Sequence, residues 1–283
     1  MTADLAQDTR VHRLAAGAYG ATLPEHWNFR SPSGGVLMTL ALRAARTELD
    51  APELQLASAT TLFCAPIMAG RLCADVEVMR RGGTAAQVMV SLRNTEQPQC
   101  GLRVLATFAR QRSGPEFVDV PPPAVPAPQD APAFADPMPF AKGLRAKFSD
   151  NFESRLAAGH DWFADDFRAG EARFARWFRY KTPQHGADGV LDPLALPPIA
   201  DTMPPAVIMK LGPGFEPFVA PSLDLTLHFL ANTERDWLLV STHCRSAGRG
   251  LASAHSEIWD DAGRLLAYAT QVMLFRRPPA AFV

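Results

Sequence analysis

GGVLMTLALRAARTEL, residues 34–49, decides how this chain is read. The glycine pair opens a stretch whose apolar residues recur at helical spacing, which predicts a helix with one broad buried face. Four strand-like runs follow it, at Ala59–Cys64, Leu72–Arg80, Ala85–Arg93 and Gly101–Arg110. In CADVEVMR (73–80) and AAQVMVSLR (85–93) apolar and polar residues alternate, as an antiparallel strand with one buried face requires. The unit is therefore a helix followed by an antiparallel sheet.

The same order recurs further along. Leu194–Leu211 reads as one helix, and Asp224–Leu230, Trp237–Cys244, Leu251–Trp259 and Leu265–Arg276 read as strands. Asp261-Ala262-Gly263 supplies a hairpin turn between the last two. A constant offset of 166 residues relates the halves: Phe63 falls on Phe229, Gly82 on Gly248, Arg110 on Arg276, and Ala41-Leu42 on Val207-Ile208. A register held without a gap predicts duplication of one unit; two unrelated α+β domains of similar length are the alternative. Between the halves lies SGPEFVDVPPPAVPAPQDAPAFADPMPF, residues 113–140, whose nine prolines leave few donors for helix or sheet. It reads as an extended, semi-rigid connector. The expected organisation is a first domain over residues 1–112, a linker over 113–142 and a second domain over 143–283.

Composition narrows the function classes. With 47% apolar residues in 283, the chain can bury a substantial core, and a formal net charge of −1 gives no support to a nucleic-acid or acidic-membrane partner. Cys64, Cys73, Cys100 and Cys244 form no C-x-x-C pair and have no histidine at zinc spacing, so reduced thiols are expected. MTADLAQDTR lacks the apolar run of a signal peptide, and no membrane-length apolar segment occurs. These features predict a soluble protein of the cytoplasm. There is no G-x-S-x-G elbow, G-x-G-x-x-G, P-loop or metal cluster, so neither a metal nor an organic cofactor is expected.

Four motifs carry a resemblance. PEHWNFRSPSGGVLMTLALRAA (24–45), IADTMPPAV (199–207), PSLDLTLHFLANTERDWLLVST (221–242) and GRLLAYATQVMLFRR (263–277) resemble, in order and spacing, the acyl-CoA thioesterase II-like family, the double-hotdog thioesterases. The resemblance implies an α+β fold of two antiparallel sheets, each wrapped around a central helix and joined into one continuous sheet. It implies hydrolysis of an acyl-CoA by a water molecule that an Asp, a Thr or Ser and a Gln hold against the thioester. Carried onto this chain, those are Asp201, Ser222 and Gln271, with Ser222 standing where the family pattern has Thr. The resemblance also assigns the amides of Gly34 and Gly35 to thioester or phosphate oxygens, and suggests a homo-oligomer.

The residue types suit that chemistry. A carboxylate at a helix N-terminus is favoured in its ionised form and can orient or deprotonate water. Gln271 offers a donor and an acceptor, and Ser222 a rotatable hydroxyl. Subtracting 166 from Asp201, Ser222 and Gln271 gives Gly35, Leu56 and Leu105, so the polar trio belongs to the second half alone, predicting one hydrolytic site per chain. Each residue also has a plain structural reading: Asp201 as an N-cap, Ser222 as a strand initiator, Gln271 as a satisfied buried amide, and Gly34-Gly35 as a tight turn.

Other candidates weigh less. His26, Asn28, His228 and His243 are lone polar side chains, although His228 shares strand parity with Asp224. Arg80, Arg81, Arg249, Arg276 and Arg277 suit CoA phosphates but equally suit solvated strand ends. Two further functions stay open at this point. One is a hotdog-type enoyl-CoA hydratase, which would need an Asp and a His close together after the central helix. The other is a non-catalytic acyl-CoA-binding protein.

Overall fold

The computed structural model describes residues 3–138 and 141–277, so Pro139 of the connector and the first two residues of the N-terminal stretch lie outside the described residues. Helix α1 is Gly34–Leu49, as its periodicity requires, with Val36, Met38, Leu40, Ala41, Leu42, Ala44 and Ala45 fully buried. Around it runs a sheet of twelve strands: β1 (His12–Ala15), β2 (Ala18–Leu23), β3 (Gln55–Phe63), β4 (Gly70–Arg81), β5 (Ala85–Asn94), β6 (Leu102–Ala109), β7 (Phe152–Ala158), β8 (Arg173–Tyr180), β9 (Asp224–Phe229), β10 (Leu238–Gly248), β11 (Leu251–Asp260) and β12 (Leu265–Leu274). Their order is β1-β2-β4-β5-β6-β3-β9-β12-β11-β10-β8-β7, antiparallel throughout. One half of that order mirrors the other about the β3–β9 junction.

The junction shows what duplication accomplishes. A single half would leave β3 as an unpaired edge, and the second half covers it with its own equivalent strand. Thr60 lies opposite Thr226, and their hydroxyls meet at 3.0 Å. Two residues separated by the repeat offset touch each other, so a local two-fold axis passes between them. This continuous double hotdog sheet matches the expected fold class.

The 166-residue register needs one correction. Leu92 pairs with Leu102, ten residues on, whereas the equivalent Ile258 pairs with Ala267, nine residues on. The second hairpin is one residue shorter, so the offset falls to 165 along β12. Gln271 therefore corresponds to the inward-facing, buried Ala106 and not to the outward-facing Leu105, and Arg110 corresponds to Phe275 and not to Arg276.

The second helix is also not continuous. In place of one helix over Leu194–Leu211, a 3-10 turn (Pro193–Ala195) leads into α2 (Leu196–Ala200), and α3 (Pro204–Leu211) starts after a break. Pro204 and Pro205 lack the N–H that an unbroken helix would donate backwards, so they are accommodated only in a fresh first turn. Asp201 closes α2, and the Thr202 hydroxyl donates to Ile199 O at 2.7 Å within the break.

Strands β1, β2, β7 and β8 escaped the sequence reading. RFARWFRY in β8 is buried at five consecutive positions, so no alternation survives. Its outward face is covered by the connector: Trp177, Trp259, Leu239 and Ala175 pack with Ala131, and Trp177 Nε1 donates to Pro126 O at 2.9 Å. Backbone bonds from Phe134 to Ser154 O and from Leu156 to Pro132 O, both 2.9 Å, tie that stretch to β7. Among the described residues no helix is long and apolar enough to cross a membrane.

Inside the second half, Arg176 is almost wholly buried, with its guanidinium 4.1 Å over the Phe178 ring and 2.6 Å from Asp136. The Ser149 hydroxyl donates to the same carboxylate at 2.5 Å. Removing only the acid would strand a buried cation, which costs far more than replacing the pair with apolar groups. Asp136→Asn, which keeps a residue tolerant of the left-handed backbone (φ 54°) found there, should lower unfolding free energy by about 3–5 kcal/mol in urea titrations. The double variant Arg176→Met with Asp136→Asn, which removes both charges together, should cost much less. Equal losses for the two variants would contradict the assignment of this pair.

Candidate active site

Asp201 stands where α2 ends, its backbone turned out of the helix by the approaching Pro204. Ser222 follows Pro221 just ahead of β9, and Gln271 faces inward on β12, 2% exposed. The strands are held in step by Leu223 N donating to Val272 O at 2.8 Å and Val272 N donating to Asp224 Oδ1 at 2.9 Å. That pairing fixes Ser222 beside Gln271, whose Nε2 donates to Ser222 Oγ at 2.8 Å.

All three side chains converge on one carboxyl group. Asp201 Oδ1 accepts from Ser222 Oγ at 2.9 Å and from Gln271 Nε2 at 2.6 Å. Oδ2 accepts from the Gly35 amide at 3.0 Å and from Ser33 Oγ at 3.4 Å. Four donors thus occupy the four acceptor sites of the carboxylate. Ser33 makes the longest of these contacts, and nothing in the sequence beyond its place before the glycine pair marks it.

The electrostatics differ from the sequence expectation. Asp201 does not stand at a helix N-terminus: it closes α2, and the N-cap of α3 is Met203. The helix N-terminus facing its carboxyl is that of α1, in the other half, reached through Gly35. The residue keeps some surface exposure, but its carboxyl is enclosed. Burial pushes the Asp201 pKa above the ordinary aspartate value, against the opposing hydrogen bonds from Gln271, Gly35, Ser222 and Ser33. The group therefore binds its proton more readily than a free aspartate, the property of a base that must accept and return one.

The glycine pair has a steric task. A Cβ on Gly35 would lie 2.1 Å from Pro197 O and 2.7 Å from Pro198 Cα, and one on Gly34 would strike the Phe63 ring and stand 3.0 Å from Asp201 Oδ2. The two helices meet backbone to backbone here. The Gly35 amide, expected on a substrate oxygen, is committed to Asp201; the Gly34 amide sits in the first turn, where no intrahelical acceptor exists. Gln271 Oε1 is buried and has no hydrogen-bond partner among the described residues.

The remaining candidates lie elsewhere. His26 Nε2 and Trp27 Nε1 both contact Asp8 Oδ2 at 2.9 Å, anchoring the approach to α1. His228 is exposed and faces Tyr268, while Asp224 caps Val272, so the two share a face of β9 without pairing. His243 neighbours His255, and burial lowers the pKa of both. Among the described residues no group of three or more His, Cys, Asp or Glu side chains is arranged to hold a metal ion.

Residues 23–109 match the family of acyl-CoA thioesterase N-terminal domains, and residues 123–275 match the family of acyl-CoA thioesterase C-terminal domains. Among solved structures, a hot dog-fold protein of unknown function from Alicyclobacillus acidocaldarius superposes with a TM-score of 0.82 at 22% identity, covering 99% of this chain and 100% of the other. An acyl-CoA thioesterase II, TesB2, from Mycobacterium marinum gives 0.73 at 21% identity, covering 97% and 99%. A tesB protein of Mycobacterium avium subs paratuberculosis gives 0.74 at 18%, covering 97% and 98%. At these identities the likeness shows the fold. No curated protein matches the sequence.

Substitution at the helix contact separates crowding from general glycine effects. Gly35→Ala should lower unfolding free energy by about 1–3 kcal/mol, because backbone must move to admit the methyl group. Gly83→Ala, where a Cβ meets nothing within 4 Å, should stay within about 0.5 kcal/mol of the parent chain in the same denaturation assay.

Proposed function

The chain belongs to the acyl-CoA thioesterase family, and we propose that it hydrolyses a fatty or other acyl-CoA to the free acid and CoA. The reading rests on one observation: a buried carboxyl with a raised pKa, held at one oxygen by Ser222 and Gln271 and at the other by the N-terminus of α1. A buried acid so placed has more use as a proton acceptor than as a cap, since it stands at the end of α2 and the N-cap position of α3 belongs to Met203.

In this reading a water molecule displaces the long Ser33 contact and donates one hydrogen to Asp201, with Gln271 Oε1 able to accept the other. As the water oxygen bonds to the thioester carbon, its proton passes to Asp201. The carbonyl oxygen becomes an oxyanion, which the first-turn amides of α1, beginning at Gly34, can stabilise. Collapse breaks the carbon–sulfur bond, and the proton on Asp201 returns to the departing thiolate of CoA. No metal or organic cofactor enters this scheme.

The repeat supports a single site per chain. At the equivalent places the first half has Gly35, Leu56 and Ala106, none of which can accept or donate the proton through its side chain. The first half then serves as scaffold, contributing the glycine turn. A hydratase would need a histidine beside the acid, and no histidine is among the hydrogen-bond partners of Asp201. Free thiols at all four cysteines accord with a reducing, cytoplasmic setting.

Loss of the base is the direct test. Asp201→Ala should reduce kcat/KM for acyl-CoA hydrolysis by about 10²–10⁴-fold, read as thiol release, with an unchanged circular dichroism spectrum. Full turnover in that variant would refute the role of Asp201, and tight acyl-CoA binding by the parent chain without thiol release would replace the enzyme with a binding protein. The pH profile gives a second measurement. Only ionised Asp201 accepts a proton, so activity should fall as pH drops through a pKa above the ordinary aspartate value. Gln271→Ala removes the hydrogen bond that most opposes burial, and should move that acid limb to higher pH. A limb at the ordinary aspartate value, unmoved by Gln271→Ala, would contradict the scheme.

A further inference from the structure

Two paired segments lead away from the candidate site. Residues 218–222 and 271–276 run side by side, joined by the Val219–Arg276 and Ser222–Met273 bridges and by Leu274 N donating to Pro221 O at 2.9 Å. At about 3.3 Å per extended residue, Arg276 lies some 17 Å along the chain from Gln271. There the segments border a pocket of about 530 Å³, open to solvent, between the end of α3 and the tip of the β10–β11 hairpin.

The pocket combines two chemistries. Its floor is aromatic and aliphatic: the Phe218 ring lies against Phe215 and Phe275, with centroids 6.0 Å and 4.7 Å away, beside Leu211, which is half exposed. Its rim is cationic. Arg276 and Arg277 line it, and Arg249 occupies the hairpin tip between Gly248 and Gly250, two further lining residues. Among the described lining residues Glu216 is the single acid, and it holds Arg277 Nε at 3.0 Å on a fully solvated surface, where such a pair is weak. Three of the five arginines that looked like separate strand ends are thus gathered at one opening.

We propose that this pocket is the subsite for the nucleotide end of CoA, with the adenine against the phenylalanine rings and the phosphates meeting Arg276, Arg277 and Arg249. Planar guanidinium groups match phosphate oxygens in pairs, and aromatic faces suit a purine. The pantetheine arm is the part of CoA that links a distant nucleotide to a thioester, and the paired segments span the distance it must cover. The inference rests on the thioesterase reading and adds a carrier preference: free CoA thioesters over thioesters on a carrier protein, which lacks the adenine nucleotide.

The experiment compares one acyl group on two thiols. Hydrolysis of decanoyl-CoA and decanoyl-pantetheine by the full chain is followed as thiol release, with 3′,5′-ADP as a competitor. The parent chain should show a KM at least about ten-fold lower for the CoA thioester, and 3′,5′-ADP should inhibit competitively. Arg276→Glu, and separately Arg249→Glu, should raise KM for decanoyl-CoA about ten-fold, shrink the CoA-to-pantetheine ratio toward one and weaken 3′,5′-ADP inhibition. Two variants on different segments guard against one that misfolds. Equal KM values for both thioesters in the parent chain, or arginine variants that leave the ratio intact, would overturn the subsite while leaving the hydrolase standing. A change only in acyl-length preference on altering Phe275 would likewise overturn it, reassigning the pocket to the acyl tail. Absence of thiol release from either thioester would remove the thioesterase reading itself.

Discussion

The amide of Gly35 reaches across the local two-fold axis to the carboxylate of Asp201, and the surrounding structure is arranged so that this contact can exist. A carboxyl enclosed by protein loses its hydration, at a cost that only well-placed donors offset. All four donors come from three segments distant from Asp201 in sequence: the start of α1, β12 and the approach to β9. The two from α1, Ser33 and Gly35, could not arrive if that helix stood a methyl group further away. The closeness of its N-terminus to Pro197 and Pro198 is what the missing Cβ of Gly35 permits. Burial still outweighs the donors, which leaves the acid with a raised pKa.

That contact also explains why a duplicated chain has a lopsided site. Gly35 and Asp201 are separated by the repeat offset, so they are each other's equivalents and they touch. An acid at both places would set two carboxylates against one another in an enclosed space, where one would have to stay protonated. Its Cβ would also collide with Pro197 O. Only one of the two equivalent places can carry the acid while the other supplies a bare amide. Thr60 and Thr226, the neighbouring pair on the axis, show the compatible case: two hydroxyls, each able to donate or accept, remain identical.

The proline-rich connector takes part in the fold rather than only spacing its halves. Its later residues cover the outward face of β8 and β10 with Ala131 and the Pro126 carbonyl, and its Asp136 neutralises Arg176. A chain that has few backbone donors of its own can lie across a sheet face without competing for ladder hydrogen bonds.

The sequence by itself determined the duplicated helix-and-sheet plan. Period-two alternation in β4 and β5 records one buried face, and the repeat offset, read from pairs such as Phe63 and Phe229, records the second copy. It also placed Asp201, Ser222 and Gln271 together, though through resemblance rather than through any local pattern. Only the tertiary structure decided that Gln271 answers to Ala106, because the shift of one residue lies in a hairpin whose pairing is not written in residue types. β8 stayed hidden because burial on both faces erases alternation, and its second cover comes from residues about fifty positions earlier. The helix break, the α1 amide on Asp201 and the rise of its pKa were likewise settled by long-range packing, since desolvation depends on the whole shell of atoms around a group and no spacing along the chain encodes that shell.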